Sequence, residues 1–295
     1  MRRQALSIVW RIAKGIGAVL ILLLTLFVLF YIFQAFQRPI RRPMTQQLHE
    51  GVTYSRHVQN MPRRAVWHVV EFDPTVADVT LFTTPPDRKT AFNHLQARTT
   101  TQFADEFGAD VAINASFFFP IEYSLHNFYP QVGDWVSSVG LTIANGVEFS
   151  AEDDEWFHPI CILPERIVIQ LEGCPSNTIN AVSGSIILLR DGQLNHQSLA
   201  FDSRHYARTI IATETTGQRV WLVVADGQQP GYSRGMTLDD LAVFLLERGA
   251  TDAINLDGGG SATLVANGKL LNSPAQNLIP MRQRPVANHL GITFR

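Results

Sequence analysis

The stretch INLDGGGSATLV, residues 254–265, combines residue types that could take part in catalysis or in binding an anion. An apolar run ends at the carboxylate of Asp257, and three glycines and a serine follow before the apolar sequence resumes: Gly258, Gly259, Gly260 and Ser261. Consecutive glycines can present backbone N–H groups to an anion such as a phosphate. The alternative is a tight glycine turn that Asp257 merely caps. No lysine follows the glycines, so this is not a Walker-type nucleotide loop.

The alternation of side chains along a strand predicts which of these residues face a cleft. Successive side chains of a strand point to opposite faces of the sheet. Ile254 and Leu256 would therefore enter the core, while Asn255 and Asp257 would share the opposite face at the end of the strand.

A partial internal repeat suggests a second strand end at the same place. GADVAIN (residues 108–114) and GATDAIN (residues 249–255) match at five of seven positions, and each ends in an asparagine, Asn114 or Asn255. One interpretation is a pseudo-symmetric fold that brings both asparagines within roughly 15 Å of each other, a span of a few extended residues. The other is a chance match between two ordinary helix–glycine–strand units.

The elements that would position these residues indicate an α+β fold with a large, mixed or mostly antiparallel sheet flanked by helices. Runs rich in β-branched and aromatic residues predict strands at 65–72, 76–82, 166–171, 184–189, 209–213 and 219–226. Asn267-Gly268 between apolar runs predicts a type I′ hairpin. A helix is predicted after Thr237 as N-cap and before Gly249, and a second helix within residues 99–109.

Several segments together resemble the phosphodiester glycosidase family. They are AINASFF (112–118), SGSIILLRDG (183–192), RTIIAT (208–213), VVADGQQPGYSRGMTLDDLA (223–242), AINLDGGGSATLV (253–265), NSP (272–274) and RPVANHLGI (284–292). The resemblance covers roughly residues 105–292. The chain departs from the family pattern at two positions, with Gln228 where the family has arginine and Gln283 where it has glutamate.

The resemblance implies a hydrolase that cleaves the glycosidic bond of a sugar-1-phosphodiester in a glycan or envelope polymer. Such a reaction needs a carboxylate at the anomeric carbon and positive charge on the phosphate. It implies Asp257 as nucleophile or base, Asp226 as a second acid, and Arg208 and Arg284 on the phosphate. The residues expected to bind the substrate are Asn114, Thr209, Asn255, Gly258, Gly259, Gly260, Ser261 and Asn288. No metal or other cofactor is expected.

Two functions from other classes remain open. Residues 231–235, GYSRG, match the nucleophile motif G-x-S-x-G of serine esterases, and Asp257 and His289 follow Ser233 in the order of a triad. DGQQP, however, separates the preceding strand from this motif, whereas a nucleophile elbow joins strand and helix directly. The third alternative is a non-catalytic envelope protein that binds glycans or phosphate.

The N-terminus predicts a membrane anchor. Residues 15–36 contain no charged residue, and a helix of that length reaches about 33 Å, enough to cross a bilayer core. A cleaved signal peptide would have a shorter apolar region. We therefore expect a cytoplasmic tail (1–14), a transmembrane signal anchor (15–36), a linker (37–50) and a phosphodiester glycosidase-like domain (51–295) on the periplasmic or extracellular side.

Charge and cysteine content limit the partners and the compartment. Residues 1–42 hold seven of the 24 basic residues and no acid, so the rest of the chain carries a net charge of −9. We expect no nucleic acid among the partners of such a domain, because binding nucleic acid requires clustered basic residues. The two cysteines, Cys161 and Cys174, could form a disulfide in an oxidising compartment or remain buried thiols.

Overall fold

The chain is described here by a computed structural model, which covers residues 2–76, 79–87, 95–121, 129–150 and 156–294. Its first element is the helix α1 (Arg2–Phe36), and within it Trp10–Phe36 has a mean hydropathy of 2.9 and no burial against the rest of the protein. This segment is long and apolar enough to cross a membrane. Its length, hydropathy and position near the N-terminus also fit a signal sequence.

The part of the chain that the structure describes contains 21 strands in four sheets. The largest sheet consists of β1 (Met44–His49), β2 (Val52–Gln59), β3 (Ala65–Phe72), β14 (Ile187–Arg190), β15 (Gln193–Leu194), β16 (Arg208–Thr213), β17 (Val220–Asp226) and β18 (Asp252–Asn255). A five-stranded sheet consists of β4 (Val79–Thr83), β6 (Val111–Asn114), β19 (Leu264–Ala266), β20 (Lys269–Leu270) and β21 (His289–Phe294). A second five-stranded sheet consists of β9 (Thr142–Ala144), β10 (Val147–Ser150), β11 (His158–Ile162), β12 (Ile167–Ile169) and β13 (Asn180–Gly184). The smallest sheet consists of β5 (Leu95–Gln96), β7 (Phe118–Pro120) and β8 (Trp135–Ser138).

The strand order shows how the two asparagine-ending strands are placed. The large sheet runs β1-β2-β3-β17-β16-β18-β14-β15, and the first five-stranded sheet runs β20-β19-β6-β21-β4. Strands β6 and β18 therefore lie in different sheets. Every strand pair within the described sheets is antiparallel, which confirms the α+β class. Strand β1 lies within residues 37–50, so part of the expected linker is the edge strand of the large sheet.

Both faces of the large sheet are covered, because the side chains of β17 alternate between two cores. Leu222 and Val224 join the core between the large sheet and the five-stranded sheets. Trp221 and Val223 pack on the opposite face, in the same cluster as Leu241 of α4 (Leu238–Leu246). Ile254 and Leu256 enter the first of these cores, as the alternation predicts.

The helices begin where the sequence predicts. Thr237 caps α4 with Asp240 completing a capping box, and Thr99 does the same with Gln102 for α2 (Thr100–Phe107). The short helix α3 (His196–Leu199) was not predicted. Helix α4 ends at Leu246, three residues before Gly249, so the expected end was slightly late.

Two local predictions concern a turn and the cysteines. Asn267 and Gly268 have φ of 49° and 67° and join β19 to β20, which confirms the two-residue hairpin with left-handed residues. Cys161 and Cys174 form a disulfide, which settles the choice between a bridge and free thiols. It closes a loop from β11 to the segment after β12.

Candidate active site

The ends of β6 and β18 meet at Asp257. The side-chain amide of Asn114 donates to the carbonyl oxygen of Asp257 over 2.6 Å, and the backbone N–H of Asp257 donates to Ala115 over 3.0 Å. Because Asn255 lies only two residues before Asp257, the two asparagines are within the expected 15 Å. The end of β6 therefore fixes the backbone of the candidate catalytic residue from both sides.

Asn114 contacts the protein with all of its side-chain polar atoms. Its Oδ1 accepts from the hydroxyl of Thr209 over 2.9 Å and from the backbone N–H of Thr263 over 3.1 Å. Both Asn114 and Thr209 are fully buried. These two residues position the loop that carries Asp257, whereas we expected them to contact a substrate directly.

The carboxyl group of Asp257 lies in a desolvated environment. Burial raises the pKa of Asp257 from 3.8 to about 6, while the hydroxyl of Ser261, the charge of Arg284 and the N–H of Gly258 pull the pKa back down. A carboxyl group that titrates near neutrality can change its protonation state within the range in which most enzymes work.

Arg284 is the cation beside Asp257, and three neighbours fix its orientation. Its Nε donates to the amide oxygen of Gln276 over 2.7 Å, and one terminal nitrogen donates to the hydroxyl of Ser261 over 3.2 Å. The guanidinium lies 3.9 Å from the centre of the Tyr129 ring. None of the described ion pairs includes Arg284, so its positive charge remains available for an anion.

The three glycines are required by protein neighbours. A Cβ at Gly258 would lie 2.7 Å from the carbonyl oxygen of Ala207, and a Cβ at Gly259 would lie 2.8 Å from the ring of Tyr206. At Gly260 a Cβ would meet the amide oxygen of Gln276 and, at 2.6 Å, a terminal nitrogen of Arg284.

The expected anion cradle is therefore largely filled by the protein itself. The N–H of Gly259 donates to Ala207 over 2.8 Å, and the N–H of Gly258 interacts with the carboxyl group of Asp257. Gly259, with φ of 61°, and Gly260 are buried. The loop lets Tyr206 and Arg284 approach the backbone, and this close approach explains why it contains no side chains at these positions.

Asp226 lies in a closed hydrogen-bond network below the surface. One of its carboxylate oxygens is 3.0 Å from Nε2 of His68, whose Nδ1 is 2.8 Å from the hydroxyl of Tyr54. The other accepts from the side-chain amide of Asn272 and from the backbone N–H of Ser273, over 3.1 and 2.7 Å. The side chains of Asp226 and His68 have no exposed surface. This geometry disagrees with our expectation that Asp226 is a second acid in contact with the substrate.

Arg208 is held by a different carboxylate. It donates to Asp202 over 3.0 Å and to the carbonyl oxygen of Arg204 over 3.0 Å, and only 5% of its side chain is exposed. The side chains of Arg204 and Arg208 both donate to Asp202 and lower the pKa of its carboxyl group, and the hydrogen bond from Arg204 is the larger cause. Both guanidinium groups lie within 5.6 Å of the ring centre of Tyr206, the residue that packs on Gly259. Arg208 thus supports the glycine loop through Tyr206.

The remaining predicted binding residues are also buried. Asn288 exchanges hydrogen bonds with Ser116 over 2.8 and 3.1 Å and has no exposed surface. Asn255 donates to the hydroxyl of Ser185 over 3.4 Å, and its Oδ1 is buried without a partner in the described part of the chain. Of the predicted set, the structure places the side chains of Asp257, Ser261 and Arg284 against one another. Asn114, which Thr209 holds, and Gly260 contact this group from the protein side.

The residues of the alternative serine triad do not meet. The hydroxyl of Ser233 donates to the carbonyl oxygen of Asp226 over 2.6 Å and accepts from Val66. His289 stacks on Phe103 at 4.6 Å, and burial lowers the pKa of His289 to about 3. No described contact joins Ser233 to His289 or Asp257, so the geometry argues against the esterase.

Several residues of the site carried no recognisable sequence signal. Tyr129, Tyr206, Gln276 and His68 are single polar or aromatic residues far from the glycine stretch in sequence. Asn272 and Ser273 lie in the NSP segment, which resembled the family without indicating that it binds Asp226. Among the described residues, no group of three His, Cys, Asp or Glu side chains could hold a metal ion.

Comparison with known proteins gives relatives that match part of the chain. Human N-acetylglucosamine-1-phosphodiester alpha-N-acetylglucosaminidase is 49% identical over 71 residues, which are 24% of this chain and 13% of the human protein. The mouse enzyme of the same name is 34% identical over 114 residues, 34% of this chain and 22% of its own length. These matches thus cover only a small part of the relatives.

Two solved structures share the fold over most of the chain. The zebrafish N-acetylglucosamine-1-phosphodiester alpha-N-acetylglucosaminidase catalytic domain, auto-inhibited by its pro-peptide, superposes with a TM-score of 0.62 at 23% identity. That likeness covers 89% of this chain and 93% of the zebrafish one. A hypothetical protein from Synechocystis superposes with a TM-score of 0.57 at 16% identity, over 87% of this chain and 64% of its own.

The family model named phosphodiester glycosidase matches residues 107–293, more than half of the chain. That range includes Asp257, Ser261 and Arg284, the three predicted site residues whose side chains lie against one another. The chain therefore belongs to the phosphodiester glycosidase family.

Proposed function

We propose that this protein hydrolyses the glycosidic bond of a sugar-1-phosphodiester in a glycan or envelope polymer. The observation that carries the proposal is the pairing of a desolvated carboxyl group, Asp257, with an oriented guanidinium, Arg284, through the shared hydroxyl of Ser261. Membership of the family and the names of the human and mouse relatives support the same class of reaction.

In the proposed reaction, Arg284 binds the phosphate and Asp257 acts at the anomeric carbon. The bond between C1 of the sugar and the phosphate oxygen breaks, water supplies a hydroxyl to the sugar, and the phosphate leaves as a monoester. A phosphate monoester is a weakly basic leaving group, so one carboxylate and one cation can supply most of the assistance. Asp257 acts in its ionised form, either as nucleophile or as base towards water.

The other predicted residues serve to position this pair. Asn114 and Thr209 hold the backbone of Asp257, and Gly260 leaves room for Arg284. Asp226 orders the segment around Asn272 and Ser273, and Arg208 holds Tyr206 on the glycine loop.

We further propose that α1 anchors the domain to the membrane with the domain on the periplasmic or extracellular side. The apolar length of Trp10–Phe36 supports a span. The disulfide between Cys161 and Cys174 supports an oxidising compartment.

The activity is tested by incubating the full chain in detergent with a set of sugar-1-phosphodiesters and measuring free sugar and phosphate monoester. We expect turnover by the wild type and a loss of roughly 10²–10⁴-fold in Asp257→Asn. Arg284→Lys keeps the charge but loses the planar fork and the stacking on Tyr129, so a loss of roughly 10–100-fold is expected.

One further variant and a binding measurement distinguish the alternatives. Ser233→Ala should retain glycosidase activity. Loss of activity in Ser233→Ala together with full activity in Asp257→Asn would favour the esterase. Binding of the same phosphodiesters without any release of sugar would favour a non-catalytic binding protein.

A further inference from the structure

Four arginines surround Tyr232 at the point where the chain leaves the apolar helix. We call this cluster, Arg38, Arg41, Arg56 and Arg64, the arginine collar. The guanidinium of Arg38 lies 5.3 Å from the ring centre of Tyr232. Burial is the larger cause of the lowered pKa of Arg41, and the positive charge of Arg64 is the second cause. These two like charges therefore lie near each other.

The collar is fixed to the domain through backbone carbonyl groups. Arg41 donates to Gln59 over 2.9 Å and Arg64 donates to Gly231 over 2.6 Å. In the other direction, Arg56 donates to the linker carbonyl of Ile40 over 2.9 Å.

Tyr232 completes this attachment, since its hydroxyl donates to the linker carbonyl of Pro39 over 3.1 Å. The linker between α1 and β1 is thus seated on the domain, and the collar holds a fixed position relative to the end of the helix.

No ion pair in the described part of the chain neutralises the charges of the collar. None of the ion pairs in the described ranges includes any of the four arginines. The Nε atoms of Arg38, Arg41 and Arg56, and a terminal nitrogen of Arg38, are buried without a hydrogen-bond partner among described residues. Buried donors are normally satisfied, so several unpaired donors on neighbouring cations indicate an anionic ligand.

The position of the collar identifies the source of that anion. Arg38 is two residues beyond Phe36, the last residue of α1, so at most about 7 Å of chain separates it from the apolar helix. The headgroup layer is about 5–8 Å thick on each side of the hydrocarbon core. With the anchor in the membrane, the collar lies at the level of the lipid phosphates.

We propose that the arginine collar binds the phosphate of an anionic phospholipid headgroup and thereby fixes the domain against the membrane surface. This inference rests on the membrane anchoring proposed above and is independent of the glycosidase activity. The shared ligand chemistry is a phosphate, and the proposal assigns it to a lipid.

The test uses the full chain in nanodiscs of phosphatidylcholine alone or with about one-third phosphatidylglycerol, which gives the disc surface a negative potential. Native mass spectrometry after gentle delipidation measures which lipid is retained, and thermal unfolding reports the stabilisation. We expect the wild type to retain phosphatidylglycerol preferentially and to unfold at a higher temperature in the anionic discs.

The variant Arg38→Gln/Arg41→Gln should lose most of this preference, by about fivefold per arginine. The control Arg166→Gln/Lys269→Gln removes the same charge from exposed positions outside the collar and should behave as the wild type. Arg38→Lys/Arg41→Lys keeps the charge and should retain part of the preference, which separates lipid binding from damage to the linker.

Several outcomes would overturn the proposal. Equal retention of both lipids by the wild type is one, and equal loss in the control variant is another. Stabilisation by inorganic phosphate in phosphatidylcholine discs to the same extent would assign the collar to free phosphate. A mature chain without residues 1–36, seen by intact mass, would also overturn it, whereas an inactive but lipid-binding chain would contradict only the glycosidase proposal.

Discussion

At the scale of single residues, the burial of Asp257 has a consequence for stability as well as for catalysis. Because the pKa of Asp257 is raised to about 6, the folded protein favours the protonated form. Its contribution to stability is complete below about pH 4 and is lost as the pH rises through about 6. In the ionised form needed for catalysis, this carboxylate is therefore destabilising.

We predict that Asp257→Asn is inactive and yet more stable than the wild type at pH 8, by up to about 3 kcal/mol. At pH 4 the two proteins should have nearly equal stability, since Asp257 is then protonated. Chemical unfolding at both pH values measures the difference. The activity of the wild type should rise with pH through about 6, and a rise centred near pH 4 would contradict the assignment.

Asp226 provides a second prediction at this scale. Asp226→Asn can keep its amide oxygen on the two donors from Asn272 and Ser273, but its NH2 group then faces Nε2 of His68 in place of a carboxylate oxygen. The loss of that one contact should cost about 1–3 kcal/mol of stability. If Asp226 is a positioning residue, the melting temperature falls while activity at low temperature drops much less than in Asp257→Asn. Tyr54→Phe, which removes only the far end of the network, is the matched control. An Asp226→Asn variant as stable as the wild type but equally inactive as Asp257→Asn would assign Asp226 a direct role.

At the scale of elements, the glycine loop is packed by residues from three separate segments. Gly260→Ala would place a methyl group against Gln276 and the guanidinium of Arg284. We predict a loss of activity larger than the loss of stability, which should be about 1–3 kcal/mol. Gly17→Ala in α1 meets nothing within 4 Å and serves as the control. Full activity of Gly260→Ala would show that the position of Arg284 is not important.

The elements themselves could largely be predicted from local sequence. The strand expected at 65–72 coincides with β3, and the capping residue Thr237 and the Asn267-Gly268 turn are where the pattern places them. Each of these depends on nearby residues, through side-chain alternation or a hydrogen bond across three positions.

The contacts of the site could not be predicted in the same way. Whether Asn114 faces a ligand or Thr209 depends on how two different sheets pack, and this is not encoded in the local pattern. For the same reason Asp226 looked like a catalytic acid, although His68, Asn272 and Ser273 enclose it from distant parts of the chain.

At the scale of the whole molecule, the disulfide and the candidate active site lie in different parts of the fold. The disulfide lies in the second five-stranded sheet and its following loop, while Asp257 lies between the large sheet and the first five-stranded sheet. The bridge therefore constrains the unfolded chain without contacting the site.

We predict that Cys161→Ala/Cys174→Ala loses about 3 kcal/mol of stability, the value expected for a loop of this length, because the two cysteines are 13 positions apart. Activity measured well below the melting temperature should be unchanged. Reduction of the wild type with dithiothreitol should reproduce the lower melting temperature and have no effect on the variant. A variant that loses activity without losing stability would show that the bridge is coupled to the site, and the separation argued from the fold would be wrong.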